Sequence, residues 1–336
     1  MNIIQKIKEL KTKSVSFFSN SYKEMLDNLM EMSVKCKDLR KTNIDLAHLH
    51  LVNGNFSDAI LRYWILIHVL KHEDFSVYYN QGLSYLFNDS PQKALECFLK
   101  AKKFNSRNAL CKFRIESLTH PDSIKEIPTN SIIEDYNIQA KSFKNFIKNN
   151  EYIAPQVMFS ELKDFINKDN LNAKFNPLNI LDIGCGYGLC GYLAKEEYGI
   201  ENIFGIDIAS EMVKEASSLN AQEKSFKRIY LEDFHNFKHY ESKFDIVLAC
   251  FSLQFSLDLK HSLKQIKDIA KKGTYIAIAL PHKAVKDSYF CPNHRYFIYS
   301  RQDIDGLVEH SKFSDHRVCV KSISKTSEAL IIIAKI

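Results

Sequence analysis

The chain has 336 residues, of which 45% are hydrophobic, 12% aromatic and 26% charged, a globular composition with length for one large domain or two ordinary ones. Intrinsic disorder, a collagen-like fibre and a membrane-embedded chain are excluded. The formal charge of +6 falls short of the dense cationic face of a dedicated nucleic-acid binder, and it is uneven: residues 1–130 hold 19 basic and 14 acidic side chains, residues 131–336 hold 27 and 26.

The opening segment MNIIQKIKELKTKSVSFF is broken throughout by lysines and has no apolar run of signal-peptide length. No later run approaches the roughly 20 apolar residues of a membrane span. Lys6, Lys8, Lys11 and Lys13 suit either a solvated helix face or an anionic partner. The eight cysteines (Cys36, Cys97, Cys111, Cys185, Cys190, Cys250, Cys291 and Cys319) sit mostly within hydrophobic runs and form no CxxC pair. This argues against a disulfide framework or a zinc ribbon and for a reducing, cytoplasmic setting.

Residues 1–120 read as helix after helix, with turns at Asn53-Gly54 and at Asn88-Asp89-Ser90-Pro91. Ala59 and Ala94 occupy equivalent places 35 residues apart. Two antiparallel helices approach closely only where small residues such as Gly82 and Ala94 face each other, and Tyr63, Tyr85 and Phe98 would fill the space beside them. The segment YYNQGLSYLFNDSPQKALECFLKAKKFN resembles a tetratricopeptide repeat, whose period is about 34 residues. LAHLHLVNGNFSDAILRYWILI is a looser copy, with Ala47 in the small-residue place and His50 where a tyrosine is typical. Two repeats are few for a stable stack, so helices in residues 1–38 and 108–119 are expected as flanking caps; an unrelated helical bundle is the alternative.

The stretch 121–131, with two prolines and small polar residues, is the expected linker. Two helices are predicted over residues 132–168. From Leu178 onward β-branched runs alternate with helical stretches: LNILDIG, NIFGIDI, FKRIYLE, FDIVLACF and TYIAIALP. Alternation of that kind implies parallel βαβ units and a sheet covered on both faces. The last two strands, around 316–323 and 328–335, have too short a connection for a crossover helix and should form an antiparallel edge hairpin.

Directly after the first strand comes Asp182-Ile183-Gly184-Cys185-Gly186-Tyr187-Gly188, followed by a helix. A glycine turn there lets backbone approach a ligand without Cβ clashes, and the helix N-terminus aims free N–H groups at it. The dinucleotide fingerprint GxGxxG fits less well, because Leu189 stands where its third glycine belongs.

The pattern DxGxGxG resembles the first motif of class I S-adenosylmethionine-dependent methyltransferases. The resemblance covers residues 132–336 and implies a Rossmann-like seven-stranded α/β sheet with a terminal antiparallel hairpin, preceded by the all-α, tetratricopeptide-like domain over residues 1–120. Both together resemble bacterial methyltransferases that carry an N-terminal tetratricopeptide segment. The cofactor implied is S-adenosyl-L-methionine, with S-adenosyl-L-homocysteine as product. By this resemblance Gly184, Cys185, Gly186 and Gly188 lie at the methionine moiety, with Asp182 orienting it. Asp207, beside Ile208, takes the ribose; its two oxygens suit two vicinal hydroxyls. Asp233 and Phe234 take the adenine, and Cys250 ends the strand that lines the transfer site. Lys272-Gly273 stands where the family has a glycine turn before the fifth strand. Tyr136 and Phe143 match a lid helix that precedes the core, although Tyr136 is also a reasonable core residue.

In this family the cofactor supplies the electrophile, so the protein contributes positioning, water exclusion and a base. The strand-four end CFSLQF lacks the Asn/Asp-Pro-Pro-Tyr motif of amino-directed members. His282 and His294 are the candidate bases, with solvated loop histidines as the alternative. With Cys291 they make a loose set that lacks a fourth metal ligand, so no metal is expected. The acceptor is a small molecule or a protein recruited by the repeats; nucleic acid is not expected. The rival reading is a non-enzymatic adaptor whose repeats bind a protein partner while the cofactor domain senses or scaffolds.

Overall fold

The computed structural model describes residues 38–167, 178–238 and 244–336. The expected cap in residues 1–38 and the lysines on it lie outside these apart from Asp38. The chain divides into two compact units, residues 1–119 and 120–336.

The described part of the first unit is an all-helical array: α1 (Leu39–Val52), α2 (Phe56–His68), α3 (Phe75–Phe87), α4 (Pro91–Phe104) and α5 (Ala109–Thr119). Consecutive helices pack against each other. Asp38 caps α1 by accepting from the Arg40 and Lys41 amides, Asp74 caps α3 through the Val77 amide, and Pro91 opens α4 at a position whose N–H has no helical partner. The small residues predicted at the seams, Ala47, Ala59 and Ala94, are fully buried, as is Ala101. Gly82 faces the Phe98 ring so closely that a Cβ would lie 2.6 Å from it. Tyr79 tilts against the same ring at 5.5 Å.

The second unit opens with α6 (Thr129–Asn149) and α7 (Ala154–Asn167), and then alternates: β1 (Asn179–Ile183), α8 (Leu189–Tyr198), β2 (Asn202–Asp207), α9 (Ser210–Glu223), β3 (Arg228–Leu231), β4 (Phe244–Cys250), α10 (Lys260–Ile269), β5 (Ala270–His282), a small hairpin β6 (Tyr289–Cys291) and β7 (Tyr296–Ile298), α11 (Arg301–His310), β8 (Asp315–Ser322) and β9 (Glu328–Lys335). Seven strands form one sheet in the order β3-β2-β1-β4-β5-β9-β8. β1 to β5 run parallel; β9 pairs antiparallel with both β5 and β8, so the terminal hairpin closes one edge. Helix α7 lays Met158, Leu162, Phe165 and Ile166 into a core that includes Ile180, Leu248, Ala277 and Ile331. Helix α6 packs on α9 through Ala140, Ala209 and Met212, with Tyr136 and Phe143 beside them.

Three local features differ from expectation. Residues 121–131 are not a free tether: Pro121 opens a short 3-10 turn, Ile124 and Ile127 are buried, and the segment hydrogen-bonds to 255–257 (Ile127 N to Phe255 O, 2.9 Å; Leu257 N to Lys125 O, 2.9 Å). Gly273, expected in a turn before β5, lies inside that strand at φ +87, beside a register shift against β4. The loop after β5 contains the β6–β7 hairpin.

Candidate active site

The order of the sheet makes the chain leave β1 in one direction, through β2 to β3, and return to β4 on its other side. Ligands bind outside the carboxyl ends of strands at such a switch point. The glycine turn, Asp207, Asp233, Cys250 and His282 all stand at or just beyond those carboxyl ends, on β1 to β5 in turn.

The turn after β1 uses φ values that favour glycine: +64 at Gly184, +54 at Gly186 and +94 at Gly188. Their surroundings separate two roles. At Gly184 a Cβ would lie 2.3 Å from the Ser252 Cβ, so this residue lets the β1 and β4 ends close on each other. At Gly186 the nearest atom to a Cβ is the Gly184 carbonyl oxygen at 4.0 Å, so this position opens onto the crevice. Gly188 caps α8 with no side-chain cap, and the first amides of that helix are left for a ligand.

Asp182 is 1% exposed, and its Oδ2 is buried without a hydrogen-bond partner. Burial, with the nearby Asp207 charge, pushes its carboxyl well above the usual carboxylate range. Ser252 Oγ, against Gly184, is also buried and unpartnered. Asp207 at the end of β2 accepts from the Gly186 amide at 2.9 Å and from the Ala209 amide at 2.8 Å. Burial raises its pKa, while the backbone donors of Ala209, Gly186 and Ile208 oppose the rise.

After β3, Asp233 caps a 3-10 turn over residues 234–236, and its pKa is lowered first by a side-chain hydrogen bond from His235. Phe234 is buried. At the end of β4, the half-buried Cys250 lies 3.9 Å from the Tyr152 hydroxyl. Burial pushes the Cys185 thiol up, and Cys190 is raised first by its hydrogen bond with Cys250 and then by burial, so neither has thiolate character. Phe251 follows at φ +55, an unfavourable backbone for an aromatic residue, held because its N–H donates to Ala279 O and its carbonyl accepts from Gln254 Nε2 at 2.7 Å.

Tyr136 on α6 is brought to this edge. Its hydroxyl accepts from Gln254 Nε2 at 3.4 Å, its ring meets Phe255 edge-on at 5.7 Å, and burial together with Tyr296 and Asp207 raises its pKa. The same helix is tied to the β6–β7 turn by Asp135, whose Oδ2 is 3.1 Å from Arg295 Nε. It also caps α9, through Asn137 Oδ1 and the Glu211 amide. Sequence spacing gives no sign of either tie. The two histidines are placed differently. His282 is buried at the end of β5 with Nδ1 2.8 Å from Tyr299 O, whereas His294 is exposed and stacks on Tyr296 at 5.3 Å. Among the described residues, no group of three or more His, Cys, Asp or Glu side chains could hold a metal.

Residues 174–321 match a family model described as a methyltransferase domain. Over 105 residues the chain is 35% identical to aklanonic acid methyltransferase DauC of Streptomyces sp. (strain C5), covering 30% of this chain and 47% of that protein. Over 200 residues it is 21% identical to malonyl-[acyl-carrier protein] O-methyltransferase 1 of Coxiella burnetii, covering 58% and 64%. The chain therefore spans less than two thirds of the length of these relatives. Among solved structures it is similar to magnesium protoporphyrin IX methyltransferase of Synechocystis PCC 6803 with bound S-adenosylmethionine, at 17% identity and a TM-score of 0.46, covering 62% of this chain and 98% of that one. The model that matches residues 174–321 describes a methyltransferase class, and the sheet to which these residues contribute, in the order β3-β2-β1-β4-β5-β9-β8, is Rossmann-like. S-adenosylmethionine is the cofactor that this class uses. No helix among the described residues is long and apolar enough to cross a membrane.

Proposed function

We propose that the chain transfers a methyl group from S-adenosylmethionine to a small-molecule or protein acceptor, the helical unit serving as a tetratricopeptide-like recruitment surface. The observation that carries this reading is the buried Asp182 carboxyl, whose Oδ2 has no hydrogen-bond partner, beside a turn whose Gly186 opens onto the crevice. A buried carboxyl oxygen without a donor is costly unless a ligand satisfies it, and a cofactor carrying an α-ammonium supplies both the donor and the charge that favours the ionised form.

In this reading the methionine carboxylate lies against the Gly184–Gly188 turn, beside Cys185, where the first amides of α8 are left to hold it, and Asp182 faces the ammonium. Asp207 presents its remaining lone pairs to the ribose hydroxyls, next to Ile208. Asp233 accepts from the adenine amino group, and Phe234 backs the ring from within the protein. Cys250 lines the methyl-transfer end. When bound, the cofactor supplies an electrophilic methyl group. Tyr136, carried on α6 and held by Gln254, excludes water above the crevice and limits the approach of the acceptor. The acceptor's proton is taken by solvent or by a histidine; His282 is engaged through Nδ1, which leaves Nε2 as its basic nitrogen.

Methyl-labelled S-adenosylmethionine incubated with the protein and a cell lysate tests the reading. Label in protein bands assigns a protein acceptor and label in the small-molecule fraction assigns a metabolite. No transfer to either, with the cofactor still bound, favours the adaptor.

A further inference from the structure

The turn that carries Asp233 is gripped by α10. Asp233 Oδ1 accepts from the His235 amide at 2.9 Å and lies 3.2 Å from His235 Nδ1. On the other side of the ring, His235 Nε2 lies 3.4 Å from the hydroxyl of Ser262, a buried residue in the first turn of α10. His261, the preceding residue, stacks on the imidazole with ring centroids 5.0 Å apart and an interplanar angle of 17°. Gln265, one turn on, donates from Nε2 to the carbonyls of Phe234 at 3.1 Å and His235 at 3.0 Å.

These contacts fix a tautomer. The ionised Asp233 can only accept, so the ring proton sits on Nδ1, where it points at Oδ1, and Nε2 is left to accept from the Ser262 hydroxyl. Oδ1 then takes two donors from one residue, and the carboxylate can no longer turn about its Cβ–Cγ bond. Oδ2 becomes the oxygen presented to a ligand. The lowered pKa of Asp233 agrees, since its largest cause is the His235 side-chain hydrogen bond.

We propose that His235, backed by Ser262, is a positioning residue that holds Asp233 as a fixed single-oxygen acceptor, so that the site selects a 6-aminopurine over a 6-oxopurine cofactor. This rests on the reading of Asp233 as the acid at the adenine. A keto oxygen at that place would meet Oδ2 acceptor to acceptor. A carboxylate free to rotate would lose part of that discrimination by re-aiming or by recruiting water.

The test compares calorimetric affinities for S-adenosylhomocysteine and for its deaminated analogue, in which a carbonyl oxygen replaces the 6-amino group. Wild type should prefer the amino form by at least about tenfold, the worth of a hydrogen bond to a charged group. His235→Phe keeps an aromatic ring against His261 and the backbone donor to Oδ1 but has no side-chain donor, and should cut the preference several-fold. His235→Asn places an amide N–H near the former Nδ1 and should restore most of it; Ser262→Ala should fall between. An unchanged preference in His235→Phe, or an equal loss in His235→Phe and His235→Asn, overturns the proposal. A wild type that binds both ligands equally removes Asp233 from the adenine and the proposal with it. A wild type that binds neither overturns the cofactor reading itself.

Discussion

Asp207 Oδ2 accepts a hydrogen bond from the Gly186 amide at 2.9 Å, joining the end of β2 to the turn after β1. The acid assigned to one part of the cofactor thus holds the loop assigned to another, and the two halves of the crevice are built as one piece. Both ends of that clasp can be tested separately from the fold.

Gly186→Ala is the first test. No protein atom lies nearer than 4.0 Å to the added Cβ, so the cost to the fold is the left-handed backbone at φ +54, about 1–2 kcal/mol. The methyl projects into the crevice. Thermal melting should therefore show a modest loss of stability, while affinity for S-adenosylhomocysteine falls by at least about tenfold, more than the strain accounts for. Equal affinity in the variant would mean that the crevice is not where the ligand lies.

Asp182 makes the uncomplexed protein pH-sensitive. Its native pKa stands well above its unfolded value, so the folded chain binds more protons than the unfolded chain between the two. Stability of the ligand-free protein is then greatest below the ordinary carboxylate value of about 3.9 and falls as pH rises toward the raised native value, as far as this group is concerned. Asp207, also raised, acts in the same direction. Asp182→Asn should raise the melting temperature of the ligand-free protein at neutral pH and weaken cofactor binding, the signature of an anion kept for a ligand. A lower melting temperature together with unchanged affinity would assign Asp182 to the fold alone.

The five parallel strands, the closing hairpin and the glycine turn were legible because each is written in a short contiguous run: β-branched residues for the buried strands, then Asp182 to Gly188. The β6–β7 hairpin was not, since its strands are three residues each and its turn places Arg295 rather than glycine at φ +60. The prolines at 121 and 128 read as linker punctuation, yet Pro121 opens a helical turn, Pro128 precedes another helix, and the isoleucines between them are buried. The ties from Asp135 to Arg295, from Tyr136 to Gln254 and from His235 to Ser262 join residues far apart in the chain, and no local pattern announces them.

Gly191 tests a glycine that serves packing. A Cβ there would lie 2.2 Å from the Phe226 ring, which also crowds Gly188 and Gly205. Gly191→Ala should destabilise the second unit by about 1–3 kcal/mol, and Phe226→Leu in the same chain should recover part of that loss. Strict additivity of the two substitutions in denaturant unfolding would contradict the contact.

Gly82 addresses the helical unit. With a Cβ only 2.6 Å from the Phe98 ring, Gly82→Ala should loosen α3 against α4 at a similar cost. If this unit recruits the acceptor, KM for the acceptor rises while affinity for S-adenosylhomocysteine stays unchanged. An unaltered KM in a variant whose melting shows the loosened array would argue against recruitment.

The central claim, that the crevice at the ends of β1 to β3 binds S-adenosylmethionine, is tested most directly by calorimetric titration of the full chain and its Asp207→Ala variant with S-adenosylhomocysteine. The account predicts one site on the wild type and an affinity lower by at least about tenfold in the variant, which loses an ionised acceptor from the ribose and the clasp on Gly186. Equal affinities for the two proteins, or no binding by the wild type, would contradict it.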